Sequence, residues 1–420
     1  MSQTGLSNTP LTTPRQGLAR AASYSAALHV RDLHGAPPTP NEDLTTPVEI
    51  ITPEGKRVLI KNSGIVHTVS HKNCAPTKSA LQLVATLFYN PNQSLITADG
   101  EEIDVEKHDV YFGLYISDMA MFEFIQTIDE LLVPWKKWGT NHRCLDSAEQ
   151  PKAMEISLSM PEMLQLSELR RHTSLWHFER KWNVELVLQE NNIFRRYKRL
   201  AVFDMDSTLI EQEVIDEIAK FIGVEDQVTS ITARAMNGEI DFTESLRQRV
   251  TLLKGVPSTV FQELKSVITF TPGARELCRV LKTLGYKLAV LSGGFIPLAE
   301  YVKEQLDFDY AHANNLVVSG DGKFLTGELS GPIVHAERKA LLLEEIAKEN
   351  GIALEQTMAI GDGANDLIMM KKAGLGIAFN AKPSVQIAAP TRLNSETMLD
   401  VLYILGFTKE EIQTLLAAAD

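Results

Sequence analysis

The sequence is poor in cysteine. Only Cys74, Cys144 and Cys278 occur in 420 residues. Odd in number and widely spaced, they supply neither a disulfide framework nor a Cys-rich metal site, and they fit a reducing, intracellular compartment. Apolar runs long enough to span a bilayer are also lacking, so no membrane partner is expected. Positive charge is scarce: 41 Lys and Arg stand against 54 Asp and Glu, a net −13. That balance excludes nucleic acid as the main partner, because a phosphate backbone demands a basic face. It does not exclude a small anionic substrate, which a few local cations can meet. The opening "MSQTGLSNTP" lacks the apolar segment of a secretory signal. Residues 1–31 contain no Asp or Glu, while Arg15, Arg20 and Arg31 lie among Ser and Ala. Two readings follow: a disordered Thr/Pro/Ser tail on a cytoplasmic protein, or an organellar transit peptide.

What is present is the composition of a globular protein, 44% hydrophobic and too long for one ordinary core. Residues 1–46 break helices repeatedly ("GAPPTPNEDLTTP") and read as a tail. Residues 47–195 alternate in type. "DVYFGLYI" (109–116), "AMEISLSM" (153–160) and "VELVLQE" (184–190) read as strands. "MAMFEFIQTIDELLVPW" (119–135) and 161–182 read as helices. This predicts a smaller α+β, ferredoxin-like domain. Its His172 and His177 fit a solvated helix face better than a metal site. "NNIFRRYKR" (191–199) reads as the polar junction to a second domain, 196–420. There, strands are expected at 199–204, 286–292, 356–361 and 374–378. Helices are expected at 273–285, 296–306, 336–350, 364–373 and 408–419, with a mostly helical insertion over about 211–268. Alternation of this kind predicts an α/β fold with a doubly wound parallel sheet, whose ligands bind at the carboxyl ends of strands.

Four polar clusters fall at those ends. In "RLAVFDMDSTLIEQEV" (199–214), Asp204 and Asp206 close an apolar strand. Adjacent carboxylates repel unless a cation or proton sits among them, and in different environments they take different roles: nucleophile, or general acid and base. Ser292 and Gly293 in "LAVLSGGF" offer a hydroxyl and unhindered backbone N–H groups to a phosphate, although Ser-Gly-Gly is also a good turn. Lys339 in "HAERKALLLEEI" could balance phosphoryl charge, and rests on its company. "MAIGDGANDLIMM" (358–370) gathers Asp362, Asn365 and Asp366, hard oxygen donors suited to Mg²⁺.

In the order DxDxT, SGG, Lys, GDGxND, the chain resembles the haloacid dehalogenase (HAD) superfamily of phosphohydrolases. The stretch 207–255, with "GPIV", "FNAKP" and "LYILGF" downstream, resembles the phosphoserine phosphatase family with its helical cap inserted after the first strand. The resemblance covers essentially 197–410. It implies Mg²⁺-dependent hydrolysis of O-phospho-L-serine, the last step of serine biosynthesis, through an aspartyl phosphate. It implies Asp204 as nucleophile and Asp206 as general acid and base. The metal would sit on the side chains of Asp204 and Asp362 and the carbonyl of Asp206, with Asp366 in support. Ser292, Gly293, Lys339 and Asn365 would meet the phosphoryl group. Glu213 suits the substrate ammonium, Arg249 suits its carboxylate, and Met236 and Phe242 would wall the pocket. Some family members carry ACT-like ferredoxin-fold modules ahead of the catalytic domain, which implies a homodimer and serine as an effector bound by 47–195. Two other readings stand: a HAD phosphatase or phosphotransferase for another small phosphomonoester, and a non-catalytic interaction protein on the same scaffold.

Overall fold

The computed structural model describes residues 48–51, 57–60, 80–90, 108–131, 139–161 and 166–419. The expected tail, 1–46, and Cys74 lie outside them. Among the described residues no helix is long and apolar enough to cross a membrane, and Cys144 and Cys278 are free thiols.

The amino-terminal unit is built from β1 (Ala80–Tyr89), α1 (Asp118–Leu131), β2 (Gly139–Cys144), β3 (Ala153–Pro161), α2 (Thr173–Trp182) and β4 (Val184–Glu190). Its sheet runs β2-β3-β1-β4, antiparallel throughout, which is the βαββαβ arrangement of a ferredoxin-like fold. Strand alternation gives the sheet two faces. Leu83, Ala85, Leu87, Met154, Ile156, Leu158, Val184 and Leu188 pack under α1 and α2 with Phe124 and Phe178. The opposite face carries Thr86, Glu155, Glu185 and Gln189, a pattern expected to meet water. All four are nevertheless buried, because the carboxyl-terminal unit covers them.

Two sequence expectations fail here. Residues 109–116 do not form a strand. Asp109–Phe112 is a single helical turn closed by Gly113 at φ 113°, and Val110, Tyr111 and Leu114 are exposed rather than packed. The helix expected over 161–182 is broken. Pro161 ends β3, Leu166–Leu169 forms one turn, and His172 caps α2 by accepting from the Ser174 N–H at 3.3 Å. His172 and His177 are exposed, as a solvated face requires.

The carboxyl-terminal unit has a seven-stranded sheet in which β5 (Leu200–Phe203) is central. On one side follow β6 (Lys287–Phe295), β7 (Tyr310–Val318) and the antiparallel β8 (Leu325–Ser330). On the other side lie β9 (Thr357–Gly361), β10 (Leu375–Phe379) and β11 (Arg392–Leu393), all parallel. Strands β5, β9 and β10 are buried on both faces, which is why they read as unbroken apolar runs. Ala201, Phe203, Val290 and Ile360 face one core with α7 (Ala274–Thr283), α8 (Ile296–Leu306) and the carboxyl-terminal helix Lys409–Ala419. Leu200, Val202, Leu291 and Ala359 face the other core with α9 (Ala336–Glu349) and α10 (Leu367–Lys372).

Between β5 and α7, the chain forms α3 (Val214–Ile222), α4 (Glu225–Met236), α5 (Phe242–Thr251) and α6 (Val260–Leu264), the helical insertion expected as a cap. The chain leaves β5 toward β6 on one side and returns to β9 on the other. The crevice at the β5 and β9 carboxyl ends is therefore the topological switch point, where such sheets bind ligands.

Candidate active site

Asp204 is the first residue after β5, and the strand's alternation turns it toward the α9 side. Its backbone N–H still donates to Ile360 O of the neighbouring strand at 2.9 Å. Beyond it the chain makes a tight loop, Met205–Leu209, in which Ser207 takes a left-handed conformation at φ 53°. That backbone is costly for a residue with a Cβ and is tolerated where surroundings fix it. Here the Ser207 N–H donates to Gln212 O (3.3 Å) and its hydroxyl donates to Glu213 Oε1 (2.8 Å).

Lys339, on the first turns of α9, is wholly buried. Its ammonium sits 2.8 Å from Asp204 Oδ1 and 2.7 Å from Asp366 Oδ1. Burial alone would lower its pKa, but Asp204 and Asp366 outweigh that and hold it protonated. Asp366 follows β9 in a short turn and accepts from the Gly363 N–H at 3.1 Å. Gly361 has no room for a side chain: a Cβ there would lie 2.5 Å from the Asp366 carboxyl carbon.

Asp362 is held by the Thr208 hydroxyl, which donates to its Oδ1 at 3.2 Å. Carboxylate oxygens of Asp204, Asp362 and Asp366 lie within 4.8 Å of one another. Burial first, then the nearby Asp204 and Glu213 charges, push the Asp362 pKa up to about 7. Asp206 is raised well above the usual carboxylate range by burial, Glu213 and Asp204. Its Oδ1 is buried with no hydrogen-bond partner among the protein groups. Four aspartates thus surround one lysine. A hard divalent cation fits this donor set, because it would neutralise oxygens that now repel each other.

Ser292 and Gly293, in the carboxyl-terminal half of β6, line the opposite wall. Ser292 is fully buried, and its Oγ accepts from the Gly294 N–H at 2.8 Å. Gly294 faces Asp206 so closely that a Cβ would stand 2.9 Å from Oδ2. A Cβ on Gly293 would lie 3.1 Å from Phe242 Cζ of the cap and 3.7 Å from Asn365 Nδ2, so these three residues converge. Arg249, on α5, donates from Nε to Ser245 O at 3.4 Å. Burial pulls its pKa down while Asp216, Glu213 and Asp206 oppose that shift, so the guanidinium is turned toward the acidic side of the site. No direct Glu213–Arg249 pair forms. The side chain of Met236, at the end of α4, lies outside the described residues.

Three supporting residues were not foreseen. Thr208 holds Asp362, although the "DMDST" motif contains it. The Asp216 charge works against the effect of burial on Arg249. Asn314, buried on β7, donates to Gly293 O (2.8 Å) and accepts from the Val334 N–H (2.9 Å), fixing the wall that carries Ser292. Only Thr208 left a signal in the sequence; Asn314, one of two Asn in "HANNL", has none.

Comparison with known proteins agrees with this geometry. Residues 198–374 match the family pattern of haloacid dehalogenase-like hydrolases. A probable phosphoserine phosphatase of Schizosaccharomyces pombe is 53% identical over 234 residues, 56% of this chain and 78% of that protein. The phosphoserine phosphatase of Saccharomyces cerevisiae is 51% identical over 231 residues, 55% of this chain and 74% of that protein. Among solved structures, a HAD family hydrolase of Salmonella enterica serovar Typhi superposes with a TM-score of 0.58 at 28% identity, covering 77% of this chain and 98% of its own. A probable phosphoserine phosphatase of Vibrio cholerae gives 0.54 at 29% identity, covering 82% and 89%. Both shares exceed what residues 196–420 alone make up, so the likeness reaches into the amino-terminal unit. The chain belongs to the phosphoserine phosphatase family of haloacid dehalogenase-like hydrolases.

Proposed function

We propose that the chain hydrolyses O-phospho-L-serine to L-serine and phosphate through a phosphorylated Asp204. The observation that carries the reading is the pairing of two unlike carboxyls on one loop. Asp204 is held by the Lys339 ammonium and by the Met205 N–H at 2.7 Å, which suits an ionised nucleophile. Asp206 is half-buried, raised in pKa and left with a buried, unbonded Oδ1, which suits a group that enters protonated. A carboxylate oxygen of Asp204 bonds to phosphorus as the bond from phosphorus to the seryl oxygen breaks. Asp206 gives its proton to that leaving oxygen. It then takes a proton from water as the water oxygen attacks phosphorus and the Asp204–phosphorus bond opens.

Lys339, Ser292, Asn365 and the Gly293 N–H bind phosphoryl oxygens, with Asn314 as a positioning residue for Gly293. Glu213 and Arg249 hold the ammonium and carboxylate of the substrate, and Phe242 and Met236 close over it. Excluding water there strengthens each charged contact. Mg²⁺ suits the oxygen donors of Asp204, Asp362 and the Asp206 carbonyl, with Asp366 behind them; when bound it neutralises phosphoryl charge.

The division at 196, with 47–195 as a regulatory or dimerisation domain and serine as its effector, belongs to the same reading. The ferredoxin-like topology supports it, as does the exposed apolar surface of Val110, Tyr111, Leu114 and Phe122. A phosphomonoester panel assayed with Mg²⁺ and with EDTA tests the activity. Phosphoserine should be preferred and EDTA should abolish turnover. Preference for another compound by tenfold, about 1.4 kcal/mol in transition-state binding, would favour a HAD phosphatase or phosphotransferase for another small phosphomonoester instead.

A further inference from the structure

A cavity of about 280 Å³ lies between the two units at the amino ends of the large sheet's strands, the opposite end from the aspartates. Lys198 and Glu355, just ahead of β5 and β9, contribute one wall with Thr391, just ahead of β11, and Lys371 of α10. Arg170 and Glu190 of the amino-terminal unit contribute the other. None of these residues takes part in the chemistry above.

The cavity holds more hydrogen-bond donors than the protein satisfies. Lys198 is 5% exposed, and its ammonium, with three N–H groups, donates to Glu355 O at 2.6 Å. Thr391 is 6% exposed, and its hydroxyl is buried with no partner. Arg170 directs Nε and one terminal nitrogen at Leu188 O (2.9 and 2.6 Å), leaving further N–H groups of the fork. Burial lowers Lys198 to a pKa of about 8 and Arg170 to about 10, because the nearby Glu355 and Glu190 charges only partly offset the loss of water. Buried donors of this kind are costly unless something accepts from them.

We propose that this interdomain cavity binds a small oxyanion, a phosphate or carboxylate group, held by Lys198, Thr391 and Arg170. Glu190 and Glu355 at the rim limit the charge it takes and disfavour larger polyanions. Because one wall comes from each unit, a bound anion ties the ferredoxin-like unit to the catalytic sheet, and occupancy stabilises the folded chain by mass action. The inference does not depend on the activity proposed above.

The test is isothermal titration of the full-length chain with inorganic phosphate, with malonate and with uncharged malonamide. EDTA is present so that the aspartate cluster, stripped of cations, repels anions. One anion per chain should bind, raising Tm, and malonamide should not. Thr391→Val and Lys198→Met should each weaken binding at least about tenfold while phosphomonoester turnover with Mg²⁺ is unchanged, and Thr391→Ser should bind as the parent does. Binding of phosphate alone, or malonate alone, identifies the oxyanion. The inference is overturned if neither anion binds at millimolar concentration, or if Thr391→Val and Lys198→Met bind as tightly as the parent.

Discussion

At the scale of single residues, the site depends on one buried cation among carboxylates. Lys339 has no solvent exposure and two anionic partners, so its removal strands Asp204 and Asp366 in a low-dielectric space. Lys339→Met should cost about 3–5 kcal/mol of stability, read as a lowered Tm. It should lower kcat by roughly 10²–10³, as loss of one transition-state donor does. A variant as stable and as active as the parent would contradict the assigned contacts. Little in the sequence signals this importance, since a lysine near a helix start is usually solvated. Company identified it: Lys339 gains meaning only once Asp204 and Asp366 are seen beside it. Asn314 had no such company in sequence, and only packing reveals it.

Among elements, the strands buried on both faces were the most legible. Leu200–Phe203, Thr357–Gly361 and Leu375–Phe379 fall within or one residue beyond their expected ranges, because two-sided burial leaves no polar positions to confuse the pattern. The half-exposed pair Tyr310–Val318 and Leu325–Ser330 was missed for the converse reason: its burial alternates weakly. "DVYFGLYI" misled because Val110, Tyr111 and Leu114, apolar as in a strand, are exposed, and "ALQLVATLFY" (80–89), the first strand of the four-stranded sheet, was overlooked. The cap was legible as helical but not in its contacts. Arg249, on α5, lies within the influence of the Asp216 and Glu213 charges but pairs directly with neither, so its role follows from the element's placement over the site. Arg249→Ala should raise KM about thirtyfold, the loss of a charged hydrogen bond of about 2 kcal/mol. kcat should be nearly unchanged, because the contact is equal in ground and transition states. Steady-state kinetics on phosphoserine checks the split, and a fall in kcat at unchanged KM would remove Arg249 from carboxylate binding.

Across the whole molecule, the two units are joined by charge buried on a sheet face. Glu155 of β3 pairs with Arg143 and with Arg195. Arg143 and Arg195 donate in turn to Gly406 O (2.8 Å) and Ile404 O (3.1 Å). Glu185 of β4 accepts from Arg392 (3.0 Å) and from the Asn394 N–H (2.7 Å). The segment read as a polar junction, "NNIFRRYKR", therefore sends Arg195 and Lys198 inward, which sequence polarity could not show. Burial pushes Glu155 up, but Arg195 and Arg143 outweigh it and bring its pKa to about 2, below the ordinary 4.5. The stability this contributes is present above pH 4.5 and is lost as the pH falls through about 2. It amounts to on the order of 3 kcal/mol. Denaturant melts from pH 6 to 2 should show that loss, and Glu155→Gln should flatten it. A parental acid slope in the variant would place the acid sensitivity elsewhere.

The central claim concerns a covalent bond at position 204, and intact-mass spectrometry of the full chain, acid-quenched during turnover of phosphoserine with Mg²⁺, tests it most directly. The parent should carry one added phosphoryl group, whereas folded Asp204→Asn should carry none and turn over no substrate. An Asp204→Asn chain that hydrolyses phosphoserine at the parental rate would contradict the account.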